Sequence, residues 1–199
     1  MEPGSIRVGQ GFDVHRWSDD PDDRLVLGGV PIPGFPGLVG HSDADAVAHA
    51  CTDAVLGAVG LGDIGGLFPD TDASLAGADS IGLLGRAMGE VRRAGWEVAN
   101  VDCTVVVDEP KIAPVRQAME HNLSVAVGAP VTVKGKRTEG VSALGEGVQC
   151  FAVALLYRPE SAENRGAPET EEIEGTRYPR ATADRGDIAR SARSTGEES

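Results

Sequence analysis

Asp13 and His15 stand two apart in Gly-Phe-Asp-Val-His, a run that alternates like a strand. Residues i and i+2 of a strand point to the same face, so the carboxylate and the imidazole project together and can chelate one metal ion. The same pair alone also describes ordinary polar surface. A second group follows His41-Ser42-Asp43-Ala44-Asp45, where Asp45, His49 and Asp53 recur at i, i+4 and i+8 and share a helix face. That face lies away from an apolar stripe of Val47, Cys51, Ala54, Val55 and Ala58. A solvated face would carry Lys and Arg beside its acids, yet none occurs from His41 to Ile81. Uncompensated acids beside histidines suit a cation. Asp13, His15 and His49 together offer one oxygen and two nitrogens and leave a fourth position open, the pattern of a catalytic zinc site. Asp53, one turn after His49, is placed to orient its imidazole. His41 and Ser42 fall at the expected helix N-terminus, where backbone amides and the helix dipole favour a phosphate.

Two further segments carry chemistry. Gly62 to Asp72 (GDIGGLFPDTD) reads as a long loop whose glycines permit close approach of a substrate and whose aspartates can accept from hydroxyls. Lys134-Gly135-Lys136-Arg137-Thr138-Glu139 gathers three cations before a lone carboxylate in an acidic chain. Diphosphate oxygens attract such cations, and Glu139 can hold a second divalent ion against them. A charged strand end reads the same way.

The elements that must position these residues alternate. Strands are expected over residues 6–15, 98–107, 131–134 and 148–157, with a hairpin over 25–33 turning at Gly28-Gly29. The glycines Gly9 and Gly11 mark a bulge or close backbone approach in the first strand. Helices are expected from Ser42-Asp43 to Gly60, from an Asp79-Ser80 cap through Ala94, and from Pro114 to Val127. Such alternation predicts an α/β sandwich, a sheet with helices packed on it. Residues 159–199 have few large apolar side chains and read as a disordered polar tail, with at most a marginal helix around residues 187–193. Residues 1–158 form the domain.

Composition narrows the function. The net charge of −13 argues against nucleic acid and anionic membrane as partners, since both need clustered cations. Aromatics are only 4%, so the core must be aliphatic. No apolar run reaches about 18 residues, and Met1-Glu2-Pro3-Gly4 lacks the basic and apolar regions of a signal peptide. The odd set Cys51, Cys103 and Cys150 lies in apolar stretches and reads as buried thiols, not a disulfide frame. A cytoplasmic protein is expected.

Gly9 to His15 (GQGFDVH), His41 to Ala54 (HSDADAVAHACTDA) and Leu61 to Asp72 (LGDIGGLFPDTD), in that order, resemble the 2-C-methyl-D-erythritol 2,4-cyclodiphosphate synthases. Asp79-Ser80, Pro110-Lys111 and Gly145-Glu146-Gly147 add to the likeness, which spans about residues 5–157. The resemblance implies a mixed four- to five-stranded sheet with helices on one face, in a homotrimer whose sheets surround a central axis, with active sites between subunits. It implies conversion of a cytidine diphosphate substrate, 4-CDP-2-C-methyl-D-erythritol 2-phosphate, to the cyclic diphosphate with release of CMP, a step of non-mevalonate isoprenoid synthesis. It places zinc on Asp13, His15 and His49, and a second ion, magnesium or manganese, on Glu139. His41 would stabilise the transition state. Asp63, Gly65, Phe68, Pro69, Asp70, Thr71 and Asp72 would meet the methylerythritol part, and Val107 to Ala113, including Pro110 and Lys111, the cytidine.

Departures from the family pattern are local. A catalytic hydroxyl is expected two positions before Glu139, where this chain has Arg137. Either Arg137 supplies charge or Thr138 supplies the hydroxyl. Lys136 belongs to the same run. The segment Val141 to Gly147 is shortened and lacks the arginine that would face the trimer axis, so an anion there should bind weakly or not at all. Two other readings remain: a divergent zinc-dependent phosphotransfer enzyme on the same scaffold, and a non-catalytic metal-binding trimer whose tail recruits a partner.

Overall fold

The computed structural model describes residues 5–141 and 145–159. The expected tail and its marginal helix lie almost wholly outside these residues, as does the middle of the shortened 141–147 segment. Eleven-residue strand β1 (Ile6–Arg16) pairs antiparallel with β6 (Gly147–Tyr157), which pairs antiparallel with β4 (Glu97–Val106), which pairs parallel with β5 (Val131–Lys136). The order β1-β6-β4-β5 is a four-stranded mixed sheet, within the expected range. β2 (Arg24–Leu27) and β3 (Val30–Pro36) form a separate hairpin that turns at Gly28 and Gly29, both with positive φ.

Period-2 alternation sorts the sheet into two faces. Gly9, Gly11, Asp13 and His15 of β1 point one way, with Cys150, Ala152, Ala154 and Leu156 of β6 and Val101, Cys103 and Val105 of β4. Helix α1 (Ala46–Val59) lies on that face across β1 and β6. The two strand glycines explain how closely. A Cβ on Gly9 would stand 2.0 Å from the Ala54 carbonyl oxygen, and one on Gly11 would stand 1.9 Å from that of Ala50. Helix α3 (Ser80–Arg93) packs on α1, and α4 (Arg116–Val127) packs on α3 and β5. The core is aliphatic as expected, and the three free cysteines are buried in it. The opposite face carries Ile6, Val8, Phe12, Val14, Phe151, Val153, Leu155 and Tyr157, each at least 37% exposed. No described helix is long and apolar enough to cross a membrane.

Two differences from expectation bear on the site. α1 begins at Ala46, not at Ser42-Asp43, because Asp45 is the N-cap. The 62–72 loop contains a one-turn helix, α2 (Ile64–Leu67), capped by Asp63, and a 3₁₀ turn (Ala73–Leu75) capped by Asp72 follows it.

Candidate active site

Three ligand-type atoms converge where β1 meets α1. Asp13 Oδ2 lies 2.9 Å from His15 Nε2 and 3.0 Å from His49 Nδ1, and the two ring nitrogens are 3.2 Å apart. Tautomers follow from the partners on the far side of each ring. His15 Nδ1 lies 2.7 Å from the Val39 carbonyl, which only accepts, so Nδ1 carries the proton and Nε2 the lone pair. His49 Nε2 lies 2.8 Å from Ser80 Oγ, whose own proton goes to Asp43. His49 Nε2 therefore donates, and its Nδ1 presents a lone pair. Three lone pairs facing one another repel unless a cation sits among them. Ligands about 2.0–2.1 Å from a tetrahedral zinc stand roughly 3.3 Å apart, close to the observed spacings, so the donor set fits such an ion. The same convergence holds a proton strongly. Burial works against charge on both groups, but hydrogen bonding between them outweighs it. The Asp13 carboxyl is held well below the usual carboxylate range by His15 and His49. The His15 imidazole is raised above 6.5 by Asp13, with help from the Val39 carbonyl.

The triad forms the polar floor of a cavity of about 390 Å³, walled by His41, Ser42, Ile64, Gly65, Phe68, Pro69, Asp70, Leu75 and Leu83. His41 is held by its flanking backbone, since Gly77 donates to the His41 carbonyl at 2.8 Å and Asp43 donates to that of Ala78 at 3.1 Å. Its Nε2 donates to the Asp72 carbonyl at 3.1 Å. Arg86 stacks 4.6 Å above the Phe68 ring and fixes the apolar wall.

Several residues read as ligand-facing do structural work instead. Asp45 is fully buried and accepts four backbone amides: Gly28 and Gly29 of the hairpin turn, and Val47 and Ala48 of its own helix. The α1 amides near its start are thus already taken, which removes the helix N-terminus as a phosphate site and leaves His41 and Ser42 in the loop before it. The polar face expected on α1 is not solvated, because nearly the whole helix is buried. Asp53 does not orient His49. Its carboxylate accepts from the Ile64 amide at 2.8 Å and anchors α2, and Ser80 and Ser42 meet the imidazole instead. Asp63 and Asp72 cap turns, and neither they nor Thr71 line the cavity.

A second cavity, about 300 Å³, opens between the loops that follow β4 and β5. Pro110, Lys111, Ile112, Arg116, Lys136 and Arg137 line it. β1, β4 and β5 run in one direction, so both cavities lie at the same end of the sheet. Two to three strand spacings of about 4.8 Å put β4 and β5 roughly 10–14 Å from β1 within one chain. Thr138 is buried and bonded to Asp108. Glu139 is exposed at φ 51° and joins no ligand-like group of three among the described residues.

The model of the YgbB family matches residues 6–157. The 2-C-methyl-D-erythritol 2,4-cyclodiphosphate synthase of Cupriavidus metallidurans is 52% identical over 163 residues, 79% of this chain and 96% of that one. That of Aromatoleum aromaticum is 54% identical over 158 residues, 77% and 94% of the two chains. A solved structure of a synthase of this name in a CDP-bound form superposes with a TM-score of 0.69 at 40% identity, covering 75% of this chain and 99% of that one. The chain belongs to this cyclodiphosphate synthase family.

The geometry brings together much of what the sequence singles out. Asp13, His15 and His49 meet, His41, Ser42, Gly65, Phe68, Pro69 and Asp70 surround them, and Pro110, Lys111, Lys136 and Arg137 form a separate cationic site. Reading the synthase from sequence missed Asp43 and Ser80, which set the His49 tautomer, although Ser80 sits in the Asp79-Ser80 cap. It also missed Asp108, whose role depends on a loop 30 residues away.

Proposed function

We propose that this chain is a homotrimeric phosphorus–oxygen lyase that cyclises 4-CDP-2-C-methyl-D-erythritol 2-phosphate and releases CMP. The convergence of three lone pairs on the floor of a half-apolar cavity carries this reading. Asp13, His15 and His49 would hold zinc, and Glu139 a magnesium or manganese ion. A single carboxylate suffices for such an ion when phosphate oxygens complete its shell. When bound, the ions neutralise and polarise the phosphoryl oxygens.

The 2-phosphate oxygen attacks the β-phosphorus, the bond from that phosphorus to the bridging oxygen breaks, and CMP leaves with that oxygen. No protein nucleophile is required, so the chain's task is alignment and charge. Gly65, Phe68, Pro69 and Asp70 hold the methylerythritol portion, with Asp63, Thr71 and Asp72 shaping their loop. His41, held by Asp72, faces the phosphates from the rim. Pro110 and Lys111 take the cytidine end, and Lys136 and Arg137 face the developing charge.

Joining the two cavities from neighbouring subunits would bring them closer than the roughly 10–14 Å between their parent strands within one chain. The exposed apolar sheet face supports such an assembly, being larger in extent than isolated surface residues. Turnover in ¹⁸O-labelled water tests the reaction: CMP and the cyclic product should carry no label. Label in either product favours a hydrolytic zinc enzyme on the same scaffold.

A further inference from the structure

The loops after β4 and β5 form two rims of the cationic cavity, and one side chain ties them. Asp108, two residues past β4, accepts the Thr138 amide on one carboxylate oxygen at 3.1 Å and the Thr138 hydroxyl on the other. Arg137 Nε stands 3.6 Å from the same carboxylate. Just before this clip, the Val107 amide donates to the Lys136 carbonyl at 2.9 Å. Just after it the chain turns back, with the Val141 amide donating to the Thr138 carbonyl at 3.1 Å. Thr138 is 4% exposed although Arg137 and Glu139 beside it are exposed. A threonine hydroxyl has one proton, and here Asp108 receives it. The Arg137 side chain, 64% exposed, lines the cavity. The Asp108 carboxyl is held below its ordinary value by the two Thr138 hydrogen bonds first and by the Arg137 charge after them, so it remains an acceptor.

We propose that Asp108 is a positioning residue that locks the Thr138 turn and so aims Lys136 and Arg137 at the phosphates of a bound cytidine nucleotide. This rests on the nucleotide reading of the cavity. It makes Thr138 an anchor and Arg137 the group that meets phosphate charge. An exposed arginine on an unclipped loop would surrender side-chain and loop entropy on binding, and the clip removes part of that cost beforehand.

The test is calorimetric titration of the full chain with CDP and Mg²⁺, alongside thermal midpoints. Thr138→Val and Asp108→Asn should each weaken CDP roughly tenfold, the scale of one lost hydrogen bond to a charged group. The double variant should bind no more weakly than the weaker single one, because both changes open the same clip. Thr138→Ser keeps the hydroxyl and should bind as wild type. Losses that multiply in the double variant overturn the proposal. So does a lowered thermal midpoint with unchanged CDP affinity. A Thr138→Val protein that binds CDP normally but fails to turn over also overturns it, since the hydroxyl would then act directly. A wild-type chain that does not bind CDP removes the nucleotide reading itself, a distinct result from a wild type that binds and variants that do not differ.

Discussion

Replacing Gly11 with alanine should empty the metal site without touching a ligand. The added Cβ would sit 1.9 Å from the Ala50 carbonyl oxygen, against 3.4 Å for the near limit of ordinary contact. The Cβ position is fixed by the strand backbone and the oxygen belongs to the helix backbone, so neither can rotate away. α1 must retreat from β1 by about 1.5 Å, and His49, the residue before Ala50, retreats with it. Asp13 and His15 stay on the strand two and four residues further along. Metal–ligand distances tolerate only about 0.2 Å, so the three donors can no longer share one ion. Overpacking of this kind costs about 1–3 kcal/mol, or roughly 2–12 °C in thermal midpoint for a chain of this size. Loss of a ligand held at 100 times its Kd removes about 2.7 kcal/mol more. Zinc per chain by mass spectrometry and thermal midpoints with and without EDTA read both effects. Gly11→Ala should hold far less than one zinc and show no EDTA response. Gly57→Ala, exposed on the same helix with nothing within 4 Å of its new Cβ, should keep its zinc and gain up to about 1 kcal/mol. A Gly11→Ala protein with full zinc and a wild-type EDTA response refutes the close-approach argument.

Asp45→Ala strands four amides, three of them buried, at about 1–3 kcal/mol for each buried one and should leave little folded protein, while Asp45→Asn keeps most acceptors and should lower stability by about 1–3 kcal/mol in urea unfolding. Ser80→Ala frees the His49 tautomer and should weaken zinc about 10–100-fold in competition with a chromophoric chelator, beyond the roughly 1–3 kcal/mol that loss of a buried hydroxyl costs the metal-free protein. Stability should also respond to pH in opposite senses with and without metal. The folded, metal-free protein binds a proton at His15 more tightly than the unfolded chain does, so this contribution is complete below pH 6.5 and is lost as pH rises through the raised value. Zinc requires that imidazole neutral, so the zinc-loaded midpoint should instead rise across the same range. Thermal melts from about pH 6 to pH 8.5 compare the two.

Much of this architecture is legible locally. Asp13 and His15 share a face because a strand repeats every two residues, and the Asp79 cap and the Gly60 and Gly128 stops mark their helices as their residue types suggest. Gly9 and Gly11 read as a bulge or a close approach, and the structure shows the close approach. Asp45 reads from its spacing as part of a polar face, with His49 and Asp53, that suits a cation. Only pairing with the hairpin turn, 16 and 17 residues earlier, reveals it as a buried anchor. Asp53 misleads in the same way, its partner being the Ile64 amide. The placement of β6, last of the described strands yet central in the sheet, follows from no local pattern. It is what puts the ends of β1, β4 and β5 on one side.

The most direct test is phosphorus NMR of the zinc- and magnesium-loaded protein with 4-CDP-2-C-methyl-D-erythritol 2-phosphate. The account predicts replacement of the substrate resonances by those of CMP and a cyclic diphosphate, and no conversion by His49→Ala. Substrate that stays intact in the presence of fully zinc-loaded wild-type protein would contradict it.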